Sequence, residues 1–431
     1  MGRGNLRARA NGEFRRQPPG MSGSGGAETA VTGEARTSPA PLAATAPLLF
    51  ATAVVMVATV ALYALPAYAT DLKHQLVLTS TEVGLLSSGF AITYALVQVP
   101  SGIFGGMAGL RIGFGSSLAL IGAGFLGSSL VHSYGALLAL RALTGFGAGM
   151  LLPLASGLAR SVTPTANLRS QGLITSGWGL GYVLGLLALP VAFDSWRAGF
   201  VAVGTLSLAL GAYALLGLAA PARSGRHATL GDAAQGLRQR GTWLLGFCSA
   251  GSTIVNVGAG AWATSFVKDE KDVTGFLASF VPSLIGWGLL PATILGALAA
   301  RRWGEVAVLR VAAVGQIASI GVIAAPADLT VFGLGLCLLG FFTGFPTGIV
   351  LALVAKIVFG PSESAQATLV GAINMAAFFG ATLAPVIVGA IKDLTGHFEL
   401  GFTTLLIGPV LILVATARVG RLLDRAPPAP I

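Results

Sequence analysis

Arg141 is the residue of this sequence best placed to act on charge. It stands in an apolar run, about 7 Å inside the end of that run at a helical rise of about 1.5 Å per residue. A guanidinium in hydrocarbon costs at least a few kcal/mol unless it is paired. No acid on a neighbouring run offers itself, because all 16 Asp and Glu residues fall in tails, loops or run ends. Arg141 can therefore complete a site for an anion, snorkel outward, or bond backbone carbonyls. The same census leaves no buried carboxylate to relay protons, and His74, His132, His227 and His397 also lie away from run centres.

Neutral groups are more numerous. Tyr63, Tyr94, Gln98, Trp178, Tyr182, Asn256, Trp262, Trp287, Thr343 and Asn374 interrupt apolar runs with hydrogen-bonding groups and ring faces. Such groups orient a small ligand in an otherwise apolar cavity. An amide in hydrocarbon needs a partner, so Asn256 and Asn374 read equally as ligand contacts or as helix-to-helix bonds, and any single ring reads also as packing. Lys356 and Arg310 lie near run ends and read as solvated charges. The chain has no G-x-x-x-x-G-K-[ST] loop and no paired Asp-rich motif, which argues against ATP hydrolysis and metal-assisted prenyl transfer. Cys248 and Cys337 are far apart in apolar runs and suggest neither a disulfide nor a metal site. No enzyme chemistry, cofactor or metal is expected.

These residues need membrane-spanning helices to position them. With 54% hydrophobic and 10% charged residues over 431 positions, the chain has more apolar surface than a soluble core could bury. Runs such as Leu48 to Leu65 are unbroken, whereas barrel strands would alternate, so the spans are helical. They are placed near 47–69, 83–104, 112–132, 136–160, 169–191, 197–219, 243–266, 274–299, 306–325, 330–356, 365–390 and 398–419. The expected architecture is an all-α membrane protein of about twelve helices in two six-helix bundles. Residues 1–46 read as a disordered cytoplasmic tail, 47–219 as the first bundle, 220–242 as a cytoplasmic linker, 243–419 as the second bundle and 420–431 as a second tail; Met21 is an alternative start. Lys and Arg crowd one alternate set of connections, which puts both termini in the cytoplasm of a multi-pass plasma-membrane protein, the bacterial inner membrane. The formal charge of +10 is thus orientation and not a nucleic-acid footprint. Internal duplication is traced by Arg160, Pro164 and Gln171 after the fourth span, echoed by Lys356, Pro361 and Gln366 after the tenth.

Between the second and third spans the chain reads PSGIFGGMAGLRIG (Pro100 to Gly113), and the fourth span carries RALTGFGAG (Arg141 to Gly149). Both resemble motifs of the major facilitator superfamily, as does the cadence of NMAAFFGATLAPVIVGAIKDLTG (Asn374 to Gly396). In the loop motif Gly102, Gly109 and Arg111 match, while Gly106 and Met107 replace its aspartate and arginine; Gly296 to Glu305 keeps Arg301 and Arg302, again without the acid. The resemblance implies a secondary transporter moving a small solute by alternating access, with Gly102, Gly109, Arg111, Arg301 and Arg302 in the gate. It also implies a central cavity between the halves, which would draw its substrate-binding residues from Arg141, Tyr63, Tyr94, Gln98, Trp178, Tyr182, Asn256, Trp262 and Asn374. The solute read from these residues is an organic or inorganic anion, with drug or metabolite efflux as the alternative. A coupling ion or counter-substrate, the lipid bilayer and a monomeric state complete the expectation.

Overall fold

The computed structural model describes residues 41–162, 168–218, 230–325, 328–357 and 363–423, and every regular element among them is helical. The first half contains α1 (Pro41–Ala67), α2 (Ala69–Leu76), α3 (Ser80–Ala108), α4 (Leu110–Leu130) and α5 (Tyr134–Val162). It continues with α6 (Leu168–Val183), a π-helical turn at Leu184–Ala188, α7 (Leu189–Ala192) and α8 (Trp196–Leu216). The second half contains α9 (Leu230–Arg238), α10 (Arg240–Asp269), α11 (Phe276–Trp303), α12 (Glu305–Ile323) and α13 (Leu329–Ile357). It ends with α14 (Glu363–Ala381), α15 (Ala384–Thr395), α16 (Glu399–Thr403), a 3-10 turn at Thr404–Leu406 and α17 (Ile407–Leu423). Twelve stretches are long and apolar enough to cross a membrane, six before residue 219 and six after 229. Exposed Ile294, Val311, Val314 and Leu334 give the surface the apolar coat that lipid requires.

The two halves repeat one packing scheme. In the first, α1 packs on α6, α3 on α5, and α4 on both α5 and α8; in the second, α10 packs on α14, α11 on α13, and α12 on both α13 and α17. Between the halves, α3 meets α14 and α15 while α6 meets α11, the two crossings a two-fold duplication generates. The turns repeat as well: Gly109 joins α3 to α4 at φ +90°, and Gly304 joins α11 to α12 at φ +84°. Those angles lie where a side chain is strained, so glycine reverses the chain there without a longer loop.

Small residues set the distances inside each half. A Cβ on Gly145 would run into the Phe90 carbonyl, and one on Gly149 into that of Tyr94, so α5 lies directly against the backbone of α3. Without a hydrophobic force between helices in lipid, this contact carries the association.

Two boundaries differ from expectation. Helix α1 begins at Pro41, inside the stretch expected to be an unstructured tail, because the fixed φ of proline suits a first helical turn and an alanine-rich run follows. The expected linker contains α9, and the Trp243 indole of α10 donates to the Leu237 carbonyl at 2.7 Å. Residues 1–40 with Met21, 219–229, Pro164, Pro361 and 424–431 lie outside the described residues.

Candidate functional site

A cavity lies between the halves, walled by α1, α5 and α6 on one side and α10, α11, α13 and α14 on the other. About 90 Å³ of it is open to the centre of a water molecule. Five of the expected site residues meet there: Tyr63, Trp178, Tyr182, Asn256 and Asn374. Hydroxyls with no distinctive sequence signal complete the wall, among them Ser156, Thr175, Ser249, Ser252, Thr253 and Thr347. None of the described wall residues carries a charge.

One end of the cavity is a bonded aromatic layer. The Tyr63 and Tyr182 rings lie 3.8 Å apart, and the Tyr182 hydroxyl donates to the Asn256 main-chain oxygen at 2.8 Å with the side-chain oxygen at 3.2 Å. The Asn256 amide nitrogen is then the donor left for a ligand. Thr253 donates back to the Ser249 carbonyl at 2.8 Å and Thr175 to that of Gly172 at 3.1 Å, so these hydroxyls turn lone pairs to their surroundings. Ser252 accepts from the Gln316 amide at 3.0 Å.

Beyond that layer, the face bearing the start of α3 and the ends of α10 and α15 is sealed by polar contacts. Asp393 on α15 accepts from the Ser80 N–H at 2.9 Å, the Thr81 N–H at 2.7 Å and the Thr81 hydroxyl at 2.6 Å. Thr79 and Glu82 form a capping box on the same helix, with Glu82 N–H donating to the Thr79 hydroxyl. The first-turn N–H groups of α3, which have no partner within their own helix, are thus satisfied partly from the other half. Lys268 pairs with Asp71 at 3.1 Å, Thr70 donates to Asp269 at 3.0 Å, and Ser88 donates to the Thr382 carbonyl. By sequence Asp393 is only an acid at a span end, because its partners are more than 300 residues away in the chain.

The remaining expected residues lie off the cavity wall. Arg141 is 1% exposed and donates to the carbonyls of Ala61 at 2.9 Å and Leu62 at 3.5 Å, its guanidinium 4.8 Å from the Phe90 ring centre. Pro66 explains this position: it has no N–H to give Leu62 one turn back, and Arg141 supplies the missing donor. Trp262 donates to the Pro385 carbonyl at 2.8 Å, joining α10 to α15. Tyr94 is buried behind Phe378, and Gln98 is buried beside Gly371. Trp287 is 46% exposed on the surface, and Thr343 is buried and donates to the Gly340 carbonyl at 3.1 Å. Gly102 has open space where a Cβ would be, and Arg111, Arg301 and Arg302 are exposed with no ion pair among the described residues. Glu270, His397 and Glu399 bring possible metal ligands within 4.8 Å of one another, but Glu270 already accepts from Lys392 at 2.6 Å and the Phe398 N–H at 2.7 Å.

The family model described as Major Facilitator Superfamily matches residues 48–385, and the chain belongs to that superfamily of membrane transporters. It is 24% identical over 372 residues to a probable sulfoacetate transporter of Cupriavidus necator, covering 77% of this chain and 83% of that one. It is 34% identical over 149 residues to a probable chloroplastic anion transporter of Arabidopsis thaliana, covering 32% of this chain and 27% of the plant protein's length. The fold is similar to that of a bacterial homologue of the human lysosomal transporter Spinster in inward-facing conformations. The occupied form aligns at TM-score 0.67 and 17% identity over 88% of this chain and 97% of that one. The unoccupied form aligns at 0.68 and 16% over 90% and 98%.

Proposed function

We propose that this superfamily member is a secondary transporter carrying a small organic anion, a carboxylate or sulfonate, across a plasma membrane by alternating access. One observation carries the choice of anion: among the described residues Arg141 is the one fully buried charge, and no carboxylate neutralises it or lines the cavity. Arg141 bonds the carbonyls next to Tyr63, a wall residue, so its field reaches the site without direct contact. In a low-dielectric interior an unpaired positive charge favours an anion nearby and disfavours a cation. The amides of Asn256 and Asn374 would donate to the anionic head, and the rings of Trp178 and Phe378 would hold the organic part. The names of the two relatives, an anion and a sulfoacetate transporter, agree with this class. Cationic loop residues at the end where α1 begins favour cytoplasmic termini, which makes the sealed face the outer one.

An uncharged wall also suits a neutral amphipathic metabolite, and the aromatic faces support export of such a compound as the second reading. Flux in liposomes of purified protein separates the two. Labelled carboxylates and sulfonates, sulfoacetate among them, should enter, and Asn256→Ala should slow them about tenfold, the effect of one lost hydrogen bond to a charged group. Uptake of a neutral amphipathic dye with no acid flux would overturn the anion reading.

A further inference from the structure

Gln98 is 1% exposed, and neither its amide nitrogen nor its amide oxygen has a hydrogen-bond partner. Tyr94, one helical turn earlier on the same face of α3, is also 1% exposed, with its hydroxyl unpartnered. Buried polar atoms are bonded as a rule, and among the described residues Tyr94 and Gln98 have only each other within reach, so the pair calls for a partner absent from this state. Their cover is specific. The Phe378 ring of α14 lies 4.1 Å from the Tyr94 ring, and Phe378 is itself a wall residue of the cavity. A Cβ on Gly371 would come 2.9 Å from the Gln98 carbonyl, so the α14 backbone rests directly on α3 beside the amide.

We propose that Tyr94 and Gln98 form a polar subsite of the transport path, masked by α14 in this conformation, with Phe378 on Tyr94 and Gly371 beside Gln98, and uncovered when α14 separates from α3. The subsite takes the oxygen-bearing head of a small acid. Gln98 presents two N–H donors and Tyr94 one O–H donor, a set that suits carboxylate or sulfonate oxygens. The assignment of the acid rests on the function proposed above, whereas the masking rests on the geometry alone.

Thiol labelling separates those two parts. In a chain carrying Cys248→Ala and Cys337→Ala, Gln98→Cys should react slowly with N-ethylmaleimide while Thr253→Cys on the cavity wall reacts readily. Adding Phe378→Ala should speed labelling of Gln98→Cys, and releasing the outer seal with Asp393→Ala should speed it about fivefold, the shift expected from losing one helix cap. Sulfoacetate or another small acid should then protect it. Labelling that never accelerates overturns the masked subsite and leaves the proposed function standing. Acceleration without protection by any carboxylate or sulfonate overturns the acid assignment and counts against that function. Gln98→Leu gives a readout that needs no cysteine: it should raise the melting temperature or leave it unchanged, while weakening acid transport. A lower melting temperature with unchanged flux would mean that the amide has a purely structural role.

Discussion

The seam inside each half and the seam between the halves share close glycine contacts but differ in the polar groups added to them. Inside the first half, Gly145 and Gly149 place α5 against the carbonyls of α3, and the Thr93 hydroxyl donates to the Ala142 carbonyl at 2.8 Å. Between the halves, Gly84 meets the Pro385 carbonyl and Gly371 that of Gln98, but one face adds side-chain polar contacts: Asp393 on the start of α3, Lys268 on Asp71, Thr70 on Asp269. The first kind is dry and fixed by backbone shape, so it has one arrangement. The second exchanges its partners for water at little cost, so it can open and close. Under the alternating access proposed above, the contrast assigns rigidity to each half and movement to the polar contacts between them.

Substitutions at the two seams should therefore differ in kind as well as size. Gly145→Leu places a side chain against the Phe90 carbonyl and should cost about 3 kcal/mol or more, read as loss of folded protein or a large drop in thermal stability in detergent. Arg141→Met orphans the Leu62 carbonyl that Pro66 cannot satisfy and should cost about 2 kcal/mol in the same measurement. Unchanged stability in that variant would mean that another donor reaches Leu62.

At the moving seam, Asp393→Ala should leave the melting temperature almost unaltered. The lost cap is worth about 1 kcal/mol, so spin labels at the start of α3 and the end of α15 should show the open population rise about fivefold. A large fall in melting temperature instead would put this contact with the rigid seams and end the distinction. Lys268→Ala should be the mildest, about 0.5 kcal/mol on the same distance measurement, with its effect gone near 1 M salt.

Much of this was legible in the residues. The twelve apolar runs fix the helices because hydrocarbon admits only backbones that satisfy themselves, and Tyr63, Trp178, Tyr182, Asn256 and Asn374 stood out as polar or aromatic groups in those runs. Tyr94, Gln98 and Trp262 have the same signature but face elsewhere, since the rotation of each helix about its axis is set by its neighbours. The serine and threonine hydroxyls of the wall gave no signal, because such residues sit in any membrane helix by bonding their own backbone. The loop motif directed attention to Arg111, Arg301 and Arg302, whereas the seal visible among the described residues is at the opposite face.

What the sequence determined alone is local and cumulative: span length, helical state, the duplicated order of elements, and glycines at Gly109 and Gly304 where only they tolerate the turn. The pairing of Asp393 with the start of α3, the turn of Arg141 toward the gap left by Pro66, and the covering of Tyr94 by Phe378 were decided by tertiary structure. Each joins groups far apart along the chain, and hydropathy and spacing fix what a helix is without fixing which helix it meets or which face it turns.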